Sequence, residues 1–266
     1  MSSVRSAFNQ AANSYNQHAS LQQEVARRLD QKLKVCSIQP QVVLDLGAGT
    51  GLLSEQLSQR FADAQLICLD FAQASLQNNP STYKLCANAQ QLPLADNSVD
   101  LITSSLMMQW CDDLEQLFSE CFRVLKDDGL ILFSTFGPDT LKELKKSWAV
   151  VDNQAHVNDF VDMHDIGDQL MQNGFQSPVM EMEMLTLTYE KVIDLLKDLK
   201  FIGAQSVPER TKALTGKGKF KQMVEMYEYY RQDGKLPATY EVLYGHAWKN
   251  AAQLGAITLD NTSVET

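Results

Sequence analysis

The sequence predicts an α/β fold, a mostly parallel sheet with helices on both faces. Three observations carry it. Short apolar runs alternate with stretches of helical spacing, the first run ends in a glycine-rich turn, and turn residues punctuate the boundaries. Strands buried on both faces read as near-continuous apolar runs, and parallel neighbours need a crossover between them, usually a helix.

The elements follow in order. Phe8, Ala12, Tyr15, His18, Gln22, Val25 and Leu29 recur at threes and fours, which predicts a helical N-terminal arm within residues 1–40. Val42 to Leu46 is a short strand, and Leu52 to Arg60 resumes helical spacing after the turn. Further strands are expected at about 65–70, 82–86, 99–104 and 130–135, with helices at 72–78 and 112–125. Lys126-Asp127-Asp128-Gly129 is a helix stop. Beyond Phe136 come helices at 139–150 and 163–173, an alternating strand from Val179 to Tyr189, and a last strand from Tyr240 to His246. The intervening 190–235 reads as a helical lid inserted between the last two strands. Residues 1–249 thus form a single domain, and 250–266 are expected to be a disordered tail.

A chain of 266 residues that is 44% hydrophobic can bury a core without disulfides or metal, and no metal site is expected. Lys and Arg number 23 against 33 Asp and Glu, a net charge of −10 that argues against nucleic acid as a partner. Cys36, Cys68, Cys86, Cys111 and Cys121 are odd in number with no CxxC pair, which predicts reduced thiols in a cytoplasmic protein. Neither a signal segment nor a membrane span is expected, and monomer is the default state.

The strongest chemical signal is Asp45-Leu46-Gly47-Ala48-Gly49-Thr50-Gly51 closing the first strand. Ligands of open α/β sheets bind at the carboxyl ends of the strands, where glycines let backbone amides approach closely. Asp70 ends the next apolar run, nineteen residues after Gly51, where a carboxylate can bond both ribose hydroxyls. Leu52 stands where a dinucleotide fingerprint needs its third glycine, and no Lys-Ser/Thr follows to make a P-loop. A nucleoside without phosphates fits best.

VLDLGAGTG followed by that aspartate resembles the Rossmann-like S-adenosylmethionine-dependent methyltransferases. The resemblance implies S-adenosylmethionine as cofactor, with Gly47, Gly49 and Gly51 around its methionine part and Asp70 on the ribose. Asn88 and Ala89 would read the adenine, with Asp45 and Ser104 completing the set. After the fourth strand, Ser104-Ser105-Leu106-Met107-Met108-Gln109-Trp110 lacks the Asn/Asp-Pro-Pro-aromatic motif of amino-methylating relatives. Cys111 has no supporting histidine or Pro-Cys context and reads as a core or loop thiol.

A closer resemblance covers about residues 5 to 249. Tyr15-Asn16-Gln17-His18, Gln109-Trp110, Phe136-Gly137-Pro138-Asp139-Thr140-Leu141, His156-Val157-Asn158, Met163-His164-Asp165, Leu214-Thr215-Gly216 and Tyr244-Gly245-His246-Ala247-Trp248-Lys249 together look like the BioC family. These are the malonyl-acyl-carrier-protein O-methyltransferases of bacterial biotin synthesis. The resemblance implies methyl transfer to the free carboxylate of a malonyl thioester on acyl carrier protein. A carboxylate is already ionised near pH 7, so no acid–base catalyst is expected, only positioning and exclusion of water.

The expected substrate-binding residues are Tyr15 on the arm, Arg210 in the lid as carboxylate clamp, and Trp110 and Phe136 at strand ends. Arg123 reads as structural, and His18 and His246 as core histidines. Carrier protein is acidic, and Lys212, Lys217, Lys219 and Lys221 lie in the densest basic run, a docking patch that Lys142, Lys145 and Lys146 could extend. Two alternatives stay open, a methyltransferase for a free small acid such as aconitate and a cofactor-binding assembly protein without methyl transfer.

Overall fold

The computed structural model describes residues 2–202 and 216–249. The arm is three helices, α1 (Ser2–Ala11), α2 (Tyr15–His18) and α3 (Ser20–Leu33), rather than one periodic stretch. Asn13 and Ser14 interrupt it, since their short polar side chains compete for backbone groups, and the Ser14 hydroxyl donates to the Ala11 carbonyl. Ala19 makes the second break, off helical geometry at φ −91°, ψ 38°.

The sheet core follows as β1 (Val42–Leu46), α4 (Leu52–Arg60), β2 (Gln65–Asp70), α5 (Gln73–Asn78), β3 (Tyr83–Cys86), β4 (Val99–Ser105), α6 (Leu114–Val124) and β5 (Leu125–Phe136). Then come α7 (Lys142–Ala149), α8 (Met163–Gln172), β6 (Phe175–Tyr189), α9 (Val192–Phe201), α10 (Lys217–Glu228) and β7 (Leu236–Lys249). The seven strands lie in the order β3-β2-β1-β4-β5-β7-β6. Pairings are parallel except those of β7, which runs antiparallel to both β5 and β6. The order reverses between β1 and β4, the switch point at which such sheets open a crevice for ligands.

Strand alternation divides the core in two. Val43, Leu101, Leu130 and Leu132 face the side covered by Val25 and Leu29 of the arm. Their neighbours Leu44, Ile102, Ile131 and Phe133 face the side covered by Phe118 and Cys121 of α6. One slip of register would exchange the two faces, so the apolar runs specify the pairing.

Residues 126–129 do stop α6, but as an irregularity inside β5. The β4–β5 register shifts there, and Asp128 takes φ 60°. A Cβ on Gly129 would sit 2.7 Å from the Lys126 carbonyl oxygen, so the turn needs glycine. β6 and β7 exceed the predicted strands because they pair with each other from Phe175–Lys249 to Tyr189–Leu236. Segment 190–235 therefore leaves and re-enters the sheet at neighbouring positions. Within it α9 and α10 are helical; Met223 and Tyr227 of α10 are buried, and the Tyr227 hydroxyl donates to the Pro237 carbonyl at 2.8 Å. Among the described residues no helix is long and apolar enough to cross a membrane.

Candidate active site

The loop after β1 turns on Gly47, Gly49 and Gly51, all at positive φ (78°, 50° and 98°). The Gly47 and Ala48 amides donate to the Leu69 carbonyl at 2.7 and 3.0 Å. From the end of β2, the Asp70 carboxylate accepts from the Gly49 amide at 2.9 Å and the Ala72 amide at 2.7 Å. The carboxylate that would face a ribose thus also shapes the glycine loop.

Two small adjoining hollows flank it. One is lined by Asn88, Ala89 and Cys111, the other by Tyr15, Gly49, Thr50, Ser75 and Ser105, and Gly47, Asp70, Phe71, Met107 and Trp110 line both. A carboxylate at the centre and an amide oxygen at one end suit the ribose and base of a nucleoside. Asn88 Oδ1 accepts from the Gln90 amide at 3.0 Å and has a second lone pair for an exocyclic amine. These residues fit S-adenosylmethionine.

A larger cavity of about 280 Å³ opens from the second hollow and shares Phe8, Tyr15, Leu106 and Trp110 with it. Its wall is mostly apolar, with Phe136, Leu144, Trp148, Phe160, Leu199 and Tyr240. The arm roofs both spaces. Phe8 packs edge-on against Trp110 (5.4 Å) and Phe71 (6.2 Å), and the Thr50 hydroxyl donates to Asn16 Oδ1 at 2.6 Å.

A family described as "Methyltransferase domain" matches residues 44–133, from β1 into β5. The fold is shared with the YcgJ protein from Bacillus subtilis, at a TM-score of 0.60 and 16% identity over 85% of this chain and 99% of that one. The malonyl-[acyl-carrier protein] O-methyltransferase of Methylovorus sp. (strain MP688) is 45% identical, over 94% of this chain and 90% of its own. That of Gallionella capsiferriformans (strain ES-2) is 48% identical, over 94% of this chain and 91% of its own. The chain belongs to the malonyl-[acyl-carrier protein] O-methyltransferase family.

In this methyltransferase the structure brings Tyr15, Trp110 and Phe136 together on the cavity wall, and Gly47, Gly49, Asp70, Asn88 and Ala89 on the hollows. Gly51 stands behind them as the turn into α4. Two expected cofactor residues sit elsewhere. Ser104 is wholly buried and donates to the Leu46 carbonyl at 2.8 Å, and Asp45, 1% exposed, accepts from the Ser54 hydroxyl. Both brace the loop from beneath, because their side chains point into the sheet layer; Ser105 and Leu106, one and two residues on, reach the ligand side. Arg210 and Lys212 lie outside the described residues. Lys217 is exposed, Lys219 reaches Asp152 at 3.0 Å, and Lys221 approaches Glu225 at 3.7 Å.

His18, expected as a hydrogen-bonded core histidine, is half-buried and joins the arm to α9. Its Nδ1 lies 3.1 Å from Asp198 of α9, and its ring stacks on Phe201 at 4.2 Å. Arg123 pairs with Glu120 and Asp96 and donates to the Leu92 and Leu94 carbonyls, which is the structural part read for it. Phe8, Phe71, Met107 and His156 were not assigned to the site from sequence, although Phe8 stood on the arm's apolar face and His156 in a motif.

Burial pushes the Asp45 carboxyl up to about 7, with the Asp70 charge adding and the Ser54 hydroxyl opposing. The folded value lies above the unfolded one of about 3.9, so the stability from this group is full below about pH 4 and lost as pH rises through 7. The melting temperature of the ligand-free protein should therefore rise as pH is lowered from 8 to 6. Asp45→Asn should flatten that slope. Glu24, held down to about 2 by hydrogen bonds from Arg27 and Arg28, and Asp152, held there by those from His156 and Lys219, weaken the fold only at more acid pH.

Proposed function

We propose that this chain transfers the methyl group of S-adenosylmethionine to the free carboxylate of a malonyl thioester on acyl carrier protein. The ester formed begins pimelate synthesis for biotin. The observation that carries the reading is the continuity of a nucleoside slot with a roofed, mostly apolar cavity through Tyr15, Leu106 and Trp110. The relatives named for this reaction, matching along nearly their whole length, support it.

When bound, S-adenosylmethionine supplies a methyl carbon on a sulfonium, whose C–S bonding pair stays with sulfur as the new O–C bond forms. Asp70 would accept from the ribose hydroxyls, Asn88 from the adenine amine, and the glycine loop would hold the amino-acid end. Burial and the nearby Asp70 charge raise the Tyr15 hydroxyl well above its usual range, so it stays a neutral donor at the junction of slot and cavity. Phe136, Trp110 and Phe8 exclude water around an anion that needs only alignment to react. Such alignment is worth on the order of 7–11 kcal/mol. The product is a neutral ester, cheaper than the acid to bury in the apolar channel of a chain-elongating enzyme.

Carrier protein docks on the basic end of α10. Reversing charge at Lys217 and Lys221 together, leaving Lys219 on Asp152, should raise KM for malonyl-acyl carrier protein by about tenfold, and for malonyl-coenzyme A by less than about twofold. Steady-state kinetics with both substrates measures this; equal rises would remove the docking role. The reading itself is tested by offering labelled methyl donor with malonyl-acyl carrier protein, malonyl-coenzyme A, malonate and aconitate. Label is expected preferentially on the malonyl carrier. Label only on a free acid, or cofactor binding without transfer, would replace it with the corresponding alternative.

A further inference from the structure

The cavity wall, as far as the described residues form it, contains no lysine, arginine, aspartate or glutamate. A carboxylate entering it needs a hydrogen-bond donor. Among the described wall residues the one imidazole is that of His156, between α7 and α8. Its side chain is only 5% exposed. Nε2 lies 2.8 Å from Asp152 Oδ1, and the imidazole lies flat on the Trp148 indole, 3.7 Å between centroids at 6°. An aspartate on one ring nitrogen and an aromatic face against the ring together fix its plane. Asp152 is in turn held by Lys219 of α10 at 3.0 Å.

Next along the same wall, Asn158 Oδ1 is buried without a hydrogen-bond partner, and so is Gln22 Oε1 across the cavity, on a residue 8% exposed. A half-turn of either amide would present an NH₂ instead. Unsatisfied buried amides of this kind call for a polar ligand. With Nε2 taken by Asp152, Nδ1 is the ring nitrogen that remains for one.

We propose that His156 receives the carboxylate of the acid substrate and gives the cavity its preference for an anion, with Asp152 as its positioning residue. This rests on the methyltransferase reading above. It places a carboxylate contact on the cavity wall, apart from Arg210, which lies outside the described residues, and gives His156-Val157-Asn158 a chemical task. It also accounts for product release. Once methylated, the former anion is neutral and a weaker hydrogen-bond acceptor, so the ester is held more weakly than the acid.

The test compares binding of malonyl-acyl carrier protein with that of its methyl ester, both to enzyme saturated with S-adenosylhomocysteine so that nothing turns over. Wild type should prefer the acid. His156→Gln should lose about 30-fold in affinity for the acid, the scale of one charge-assisted hydrogen bond, and keep its affinity for the ester and for S-adenosylhomocysteine. His156→Phe, which keeps a ring on Trp148 without the N–H, should behave as Gln does. An acid-over-ester preference that survives both substitutions, or equal losses for acid and ester, overturns the assignment while leaving the reaction in place. A wild type that fails to bind or methylate the malonyl carrier removes the functional reading and this inference together.

Discussion

Gly47→Ala should lower the melting temperature by about 10 °C and weaken S-adenosylmethionine binding by at least about 100-fold. Gly47 holds φ 78°, and a Cβ there would lie 2.2 Å from Met107 Cγ and 2.4 Å from Met107 Cβ. Left-handed geometry costs an L-residue about 1–2 kcal/mol, and forcing an extra carbon into a packed site about 1–3 kcal/mol more. Each kcal/mol moves the midpoint of a domain this size by about 2–4 °C. Met107 also lines both hollows, so its displacement carries the clash into the cofactor slot. Gly49→Ala is the internal comparison. Its φ is 50° and the nearest atom to a new Cβ is Asp70 Oδ2 at 3.9 Å, so only the conformational cost applies. A thermal melt and a calorimetric titration of both variants should rank Gly47 well above Gly49.

Asp70→Asn should separate binding from folding. Two hydrogen bonds from ribose hydroxyls to a carboxylate, each worth about 1.5–3 kcal/mol, put the loss of cofactor affinity at about 100-fold or more. The ligand-free protein should melt within a few degrees of wild type. Asp70 is 8% exposed and burial raises its pKa, so the charge itself strains the empty fold, which offsets the weakening of its backbone amide bonds from Ala72, Gly49 and Phe71. Saturating S-adenosylmethionine should raise the melting temperature of wild type and leave the variant nearly unmoved. A variant stabilised as strongly as wild type would take the ribose away from Asp70.

The sheet and the cofactor loop were legible because they are local in sequence. A five-residue apolar strand, a glycine turn and an aspartate at the end of the next strand specify one another through spacing alone. The cavity was less so, since it is assembled from the arm, the segment after β4, the α7–α8 connection and the lid, which meet only through the fold. Ser104 illustrates the limit. From its position at a strand end it could serve the ligand or the sheet, and a single residue of offset decides; its hydroxyl serves the Leu46 carbonyl, and Ser105 takes the ligand side. His156 illustrates the converse. Its motif was visible, but its task depends on Trp148 and Asp152 closing around it, and a resemblance quotes residues without saying what they touch.

The pairing of Tyr189 with Leu236 has a consequence for how such enzymes diversify. Since segment 190–235 departs and returns across a single rung of the β6–β7 ladder, its length is uncoupled from the sheet. Lengthening a closed loop costs only about 0.6 kcal/mol per doubling, and no rung below Tyr189 need change. Residues can be added to or taken from the insertion while every rung from Phe175–Lys249 to Tyr189–Leu236 stays in register.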